Sequence, residues 1–239
     1  MLISKVLVLA LLLNAHPNLP EIQFEINPTT VKSGESTQLK WHVKNAASVF
    51  IFSLGVVDSV GERQITPSEP SRLVLIAEGP GGINADTVVI KVEGGKEVPE
   101  YNQGLAFQEQ LVGKINAPSL PQLLDYFQTV LQDSMNFTCQ LYIPADGVWI
   151  FETKRARQDY LVASDERKIG GRRLAYRVQI AQSSTIKNGY SYLIKTLVDY
   201  QYKLSVRWYP ELKEIYHKQA ARRLRNYIEK GSVLFSGKR

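Results

Sequence analysis

A single cysteine, Cys139, excludes an internal disulfide, so this chain must hold together by burying apolar surface. Its three histidines, His16, His42 and His217, include no pair at metal-ligand spacing, and neither a metal nor a cofactor is expected. A phosphate-cradling glycine loop and a nucleophile elbow are also missing. The longest apolar run, Val6 to Leu13, is far shorter than the roughly twenty residues a membrane-spanning helix needs. These absences favour a non-enzymatic, non-spanning protein.

The short run has a different meaning at the N-terminus. Lys5 precedes it, and Asn14, Ala15, His16 and Pro17 break it, which is the layout of a removable export signal over residues 1–17. A periplasmic or secreted location is the expectation.

From Ile22 the sequence alternates with a period of two. Ile22, Phe24 and Ile26 form one apolar face, then Leu39, Trp41 and Val43 another, with Ser33-Gly34-Glu35 as the turn between them. Val49 to Phe52 follows the corner Asn45-Ala46-Ala47. Leu73, Leu75 and Ala77 share a face, Gly79-Pro80-Gly81-Gly82 reverses the chain, and Val88, Ile90 and Val92 share the next. Six or seven strands about ten residues apart predict a two-sheet sandwich over residues 21–93. His42, next to Trp41, falls on the opposite, solvated face.

These residues resemble bacterial Ig-like repeats. The likeness rests on the opening Pro28-Thr29-Thr30, the turn Ser33-Gly34-Glu35, the strand Leu39-Lys40-Trp41, and Lys44-Asn45-Ala46-Ala47-Ser48-Val49, together with the closing stretch from Arg72 to Ala77. It covers under a third of the chain. The resemblance implies a spacer, carbohydrate-binding or docking module, without the paired cysteines of antibody-type domains.

Gly94 to Pro99 mixes flexible and rigid breakers, so a linker is expected over 94–100 and a second, α+β domain over 101–239. Phe107, Leu111 and Ile115, four apart, suggest a helix between 101 and 115. Ser119 suits an N-cap and Pro121 a first turn, and Leu120, Leu123, Leu124, Phe127, Val130 and Leu131 follow the helical period to Asp133. Strands are expected from Phe137 to Ile143, where Cys139 takes a buried position, and from Val148 to Phe151 after the turn Pro144-Ala145-Asp146-Gly147. Others are expected from Arg173 to Ile180 and from Tyr202 to Trp208. Leu193 to Val198 suits helix and strand equally. A final helix starts at Pro210 and stops at Gly231. The fold class is therefore an all-β Ig-like sandwich followed by an antiparallel sheet with covering helices.

Charge is distributed unevenly. Residues 1–98 hold 8 basic and 10 acidic side chains, net −2; residues 99–239 hold 21 and 13, net +8; residues 154–239 alone reach +13. Such a field steers acidic partners. Three clusters stand out as anion- or partner-binding: Lys154, Arg155 and Arg157; Arg172 and Arg173 behind Gly170-Gly171; and Lys218, Arg222 and Arg225 on one face of the final helix. Tyr190, Tyr192, Tyr200, Tyr202, Tyr216 and Tyr227 add aromatic surface, but no nucleic-acid motif accompanies them, and nucleic acid is not favoured.

Candidate catalytic pairings are weak. Asp146 with Glu152 and Asp165 with Glu166 suit turns and surfaces, and Cys139 with His217 would need a distant strand and helix to meet. The leading expectation is an exported adaptor or structural subunit of a bacterial cell-envelope assembly, with an acidic protein as its partner. A binding protein for an anionic envelope polymer or lipid, and an exported hydrolase with a sandwich accessory, are the alternatives.

Overall fold

The computed structural model describes residues 18–95, 97–98, 108–132, 138–145, 148–163, 166–204, 207–208 and 211–237. Backbone alone is described for 108–111, 138–139, 144–145, 151–163, 166–176, 197–204, 207–208, 211–217 and 220. The expected signal segment lies outside the described residues. So do residues 96, 99 and 100 of the expected linker.

The chain is mostly β, with almost wholly antiparallel sheets. In its first part β1 (Glu21–Asn27), β3 (Thr37–Lys44) and β6 (Val60–Ile65) form a three-stranded sheet in the order β1-β3-β6. Facing it are β2 (Thr30–Val31), β4 (Ser48–Ile51), β5 (Gly55–Val57), β7 (Ser71–Gly79) and β8 (Gly82–Val92), ordered β2-β8-β7-β4-β5, with β2 and β8 parallel. The alternation in β3 sends Leu39, Trp41 and Val43 inward and Lys40, His42 and Lys44 outward. Trp41 packs across Gly61, where an added Cβ would stand 2.3 Å from the indole, and its Nε1 donates to the Asp58 carbonyl at 2.9 Å. Phe24, Leu39, Ile51, Leu75 and Ile90 meet it in the sandwich interior.

Strand β7 is buried on both faces. Leu73, Leu75 and Ala77 point into the sandwich, while Val74 and Ile76 join Phe50 and Phe52 in a second core outside it. That second core is completed by the rest of the chain. Its centre is α1 (Leu120–Gln132), whose Leu120, Leu123, Leu124 and Phe127 are almost fully buried. Ser119 caps it, its Oγ accepting the Gln122 N–H at 3.3 Å.

Beyond α1 lies a six-stranded antiparallel sheet in the order β10-β11-β12-β13-β14: β10 (Thr138–Ala145), β11 (Val148–Ala163), β12 (Glu166–Ile186), β13 (Gly189–Leu204) and β14 (Arg207–Trp208). The sixth strand, β9 (Gln108–Ala117), pairs with β13. The helix expected at 101–115 is thus corrected over its described part. The fourfold spacing of Phe107, Leu111 and Ile115 is also even, so it satisfies a strand, and Ile115 opposite Tyr192 fixes the register. Leu193 to Val198 belongs to β13 as strand. The single strand expected from Tyr202 to Trp208 is instead the end of β13 and β14, paired through Lys203 and Trp208. Gly170 and Gly171 do not break the chain either; they pair with Asp159 and Gln158 inside β12.

The closing helix α2 (Glu211–Phe235) packs on β9 and β13 through Leu224 and Ile228. Gly231 does not stop it. The residue is buried against Tyr126 and Ile115, where a Cβ would lie 2.8 and 3.0 Å from those side chains, so glycine serves close packing rather than a cap. No helix among the described residues is long and apolar enough to cross a membrane.

Candidate partner-binding surface

The basic clusters are placed by the register of three neighbouring strands. Among the described residues β10 pairs with β11 from Thr138 opposite Lys154 to Ala145 opposite Val148, and β13 pairs with β12 from Gly170 opposite Leu204 to Ile186 opposite Gly189. Strands β11 and β12 pair with each other from Val148 opposite Ala181 to Ala163 opposite Glu166. Lys154 stands opposite Ala175, Arg155 opposite Leu174, Arg157 opposite Arg172, and Arg173 opposite Ala156. By strand alternation Arg155, Arg157 and Arg172 share one face of the ribbon, and Lys154 and Arg173 share the other. Two clusters separated by fourteen or more residues of sequence therefore meet at one place, Arg157 with Arg172. Arg172 in turn lies opposite Tyr202 of β13.

Like charges directly opposite in an antiparallel pair are destabilising. Arg157 and Arg172 are opposed in the backbone register, and a guanidinium fork suits carboxylate or phosphate.

The third cluster lies elsewhere. On α2, Lys218, Arg222 and Arg225 are exposed, while Leu224 and Ile228 point to the core. Because α2 covers β9 and β13, this array is separated from the hairpin array in the sheet order by the width of β13.

A polar cluster that periodicity does not reveal lies between the sandwich and α1. Glu78, 5% exposed at the end of β7, accepts the Leu120 N–H through Oε2 at 2.5 Å. Burial pushes the Glu78 carboxyl above its usual range, and hydrogen bonds from Leu120 and Tyr190 partly offset this. Gln128, also buried, accepts the Ser53 N–H at 2.7 Å. Asp125 is likewise raised by burial, against a hydrogen bond from the Val56 backbone. The signal available for Glu78 was a carboxylate closing the apolar run Leu73 to Ala77. Tyr190 and Tyr192 stack edge to face with centroids 6.3 Å apart, and burial raises both phenols. The Tyr192 hydroxyl is buried with no hydrogen-bond partner among the described residues.

Among the described residues, one cleft, of about 350 Å³, is lined by Glu78, Ser119, Pro118, Thr185 and Tyr190. Another, of about 390 Å³, lies over the outer face of the first sheet beside His42, Lys40 and Glu62. The Lys40–Glu62 pair there spans 3.6 Å with both side chains well exposed, so it contributes little to stability. Among the described residues no three His, Cys, Asp or Glu side chains gather as metal ligands. Cys139 pairs with Thr153 in β10–β11, and the side chains of Cys139 and His217 lie outside the described set, as do Asp146 and Asp165.

No known protein family and no curated protein matches the chain.

Proposed function

We propose that this chain is an exported, non-enzymatic adaptor subunit of a bacterial cell-envelope assembly. In this reading residues 21–93 are an Ig-like docking or spacing module, and the basic α+β domain behind them contacts an acidic protein. The observation that carries the reading is the register that sets Arg157 opposite Arg172, which brings two of the basic clusters to one place on the β11–β12 ribbon, where an acidic neighbour would complement them. The exposed Lys218, Arg222 and Arg225 on α2 extend the cationic surface. Residues 1–17 support export by their signal-like layout, and the Ig-like resemblance supports the bacterial, extracytoplasmic setting.

Purification from envelope extracts at low salt tests the proposal, using the wild-type chain and a variant carrying Arg157→Glu, Arg172→Glu, Arg222→Glu and Arg225→Glu. Stoichiometric co-elution with a defined acidic protein, lost in the variant, is the expected result. Retention of wild type on lipopolysaccharide or wall polymer, with no protein partner, would move the assignment to an anionic polymer.

A further inference from the structure

We propose that the cleft between the end of β7, the start of α1 and the β12–β13 turn is a binding site for a neutral, hydroxyl-rich ligand, the pyranose ring of a saccharide. At about 350 Å³ it lies in the ordinary size range of small-molecule sites. Its walls come from three places in the chain. Ser48 and Glu78 belong to the sandwich, Pro118 and Ser119 to the entry of α1, and Thr185 and Tyr190 are paired across the β12–β13 hairpin.

Close backbone approaches fix that frame. A Cβ on Gly79 would lie 1.9 Å from the Asn45 carbonyl oxygen. One on Gly189, whose φ is +132°, would lie 2.3 Å from the Ala117 carbonyl oxygen. Only glycine lets the end of β7 close on the corner at Asn45 and the β12–β13 turn close on the end of β9. Main chain therefore holds both walls, and the cavity is formed before a ligand enters.

The ligand class follows from the hydrogen-bonding capacity of the lining. Glu78 takes the Leu120 N–H on Oε2 and a second bond from the Tyr190 hydroxyl, which uses two of the roughly four acceptor positions of a carboxylate. Tyr190, donating to Glu78, keeps oxygen lone pairs to accept with. Ser119 is the reverse: its Oγ accepts the Gln122 N–H, and its O–H is left to donate. The cleft thus offers acceptors at Glu78 and Tyr190 beside a donor at Ser119, and the Ser48 and Thr185 hydroxyls can do either. An ammonium group only donates and leaves Ser119 unanswered. Phosphate and carboxylate only accept, and they would meet Glu78 in a cleft none of whose lining residues is basic. A hydroxyl donates and accepts at one atom. Pro80, Pro118 and Ile186 complete the lining, so the ligand must also carry C–H surface beside its hydroxyls, as a pyranose ring does.

Saturation-transfer and nitrogen–proton correlation NMR on the full chain test this. The probes are glucose, galactose, mannose and N-acetylglucosamine, with linear oligomers of glucose and of N-acetylglucosamine. At least one is expected to bind with a Kd of about 1–10 mM and to shift the amides of Ser48, Glu78, Ser119 and Tyr190. Tyr190→Phe, which removes one acceptor, is expected to weaken binding about tenfold, and Thr185→Trp, which fills the cleft from its exposed side, to abolish it, both with unchanged circular dichroism. Equal affinity for monomer and oligomer assigns a free sugar or chain end; an oligomer bound at least tenfold tighter assigns a polymer chain. Silence from every probe overturns the proposal, as does binding that both variants leave unchanged or that shifts amides elsewhere. Shifts at those amides from tetraalanine, with none from the sugars, overturn it and assign the cleft to a peptide. The site is separate from the basic clusters, so the chain with Arg157, Arg172, Arg222 and Arg225 replaced by glutamate is expected to bind sugar as wild type does. Loss of sugar binding in that variant places the site on the cationic surface and overturns the assignment.

Discussion

The carboxylate of Glu78, at the end of β7, takes the backbone N–H of Leu120, the first residue of α1, at 2.5 Å in a buried setting. A helix N-terminus carries orphan donors and partial positive charge, and an anion there is favourable. The sandwich thus supplies a further acceptor at the α1 N-terminus, beside the Ser119 cap. Gln128 makes a second such bond one face further along, to Ser53, whose backbone φ is 77°. Helix α1 is held to the sandwich by directional bonds as well as by apolar contact, and it shares its buried face with the second sheet.

Replacing Glu78 by alanine leaves the Leu120 N–H buried without its acceptor, and a loss of about 1–3 kcal/mol in urea unfolding is expected. Glu78→Gln keeps an acceptor oxygen and separates the charge from the bond. Because burial raises the Glu78 pKa above its unfolded value, the folded state binds the proton more readily. Wild-type stability relative to Glu78→Gln is therefore highest below about pH 4.5 and falls as pH rises through the folded pKa. Unfolding curves for both chains between acid and neutral pH check the sign.

Leu124 lies in the core shared by the sandwich, α1 and the second sheet. Leu124→Ala is expected to cost about 2–5 kcal/mol and to weaken both parts together. Hydrogen exchange followed by mass spectrometry should show peptides from β7 and from β13 losing protection in step. Protection lost from β13 alone would mean that the two parts unfold separately.

Much of this architecture is legible from side-chain alternation, and the reasons for the exceptions are physical. Strands β1 and β3 bury one face, so Phe24, Ile26, Leu39 and Trp41 mark them at a period of two. Helix α1 is equally plain, because it places a complete apolar stripe between two layers. Strand β9 is not plain, since its identity depends on β13 some eighty residues later and an even spacing fits either element. The hairpin of β11 and β12 is hidden by composition: Lys154 to Asp159 is nearly all polar, and charged residues read as loop or surface. Arg155, Arg157, Arg172 and Arg173 could be named as candidates, yet the opposition of Arg157 to Arg172 depends on register, which no local pattern carries. Glu78 and Tyr192 were missed as partners for the same reason: their neighbours come from β7, α1 and β13 at once.

Tyr192 is wholly buried and its hydroxyl has no hydrogen-bond partner among the described residues. Removing a buried polar atom that makes no bond recovers its desolvation cost. Tyr192→Phe is therefore expected to stabilise the chain by about 1 kcal/mol, read as a higher urea midpoint at unchanged slope.

The adaptor reading depends on the cationic surface of β11, β12 and α2 recognising carboxylates. Fluorescence anisotropy of a labelled glutamate-rich peptide, titrated with the full chain between low and physiological salt, tests that most directly. The account predicts binding at low salt that weakens at least tenfold as salt rises, and a comparable loss at low salt when Arg157, Arg172, Arg222 and Arg225 are all replaced by glutamate. Binding by that variant equal to wild type at low salt would contradict it.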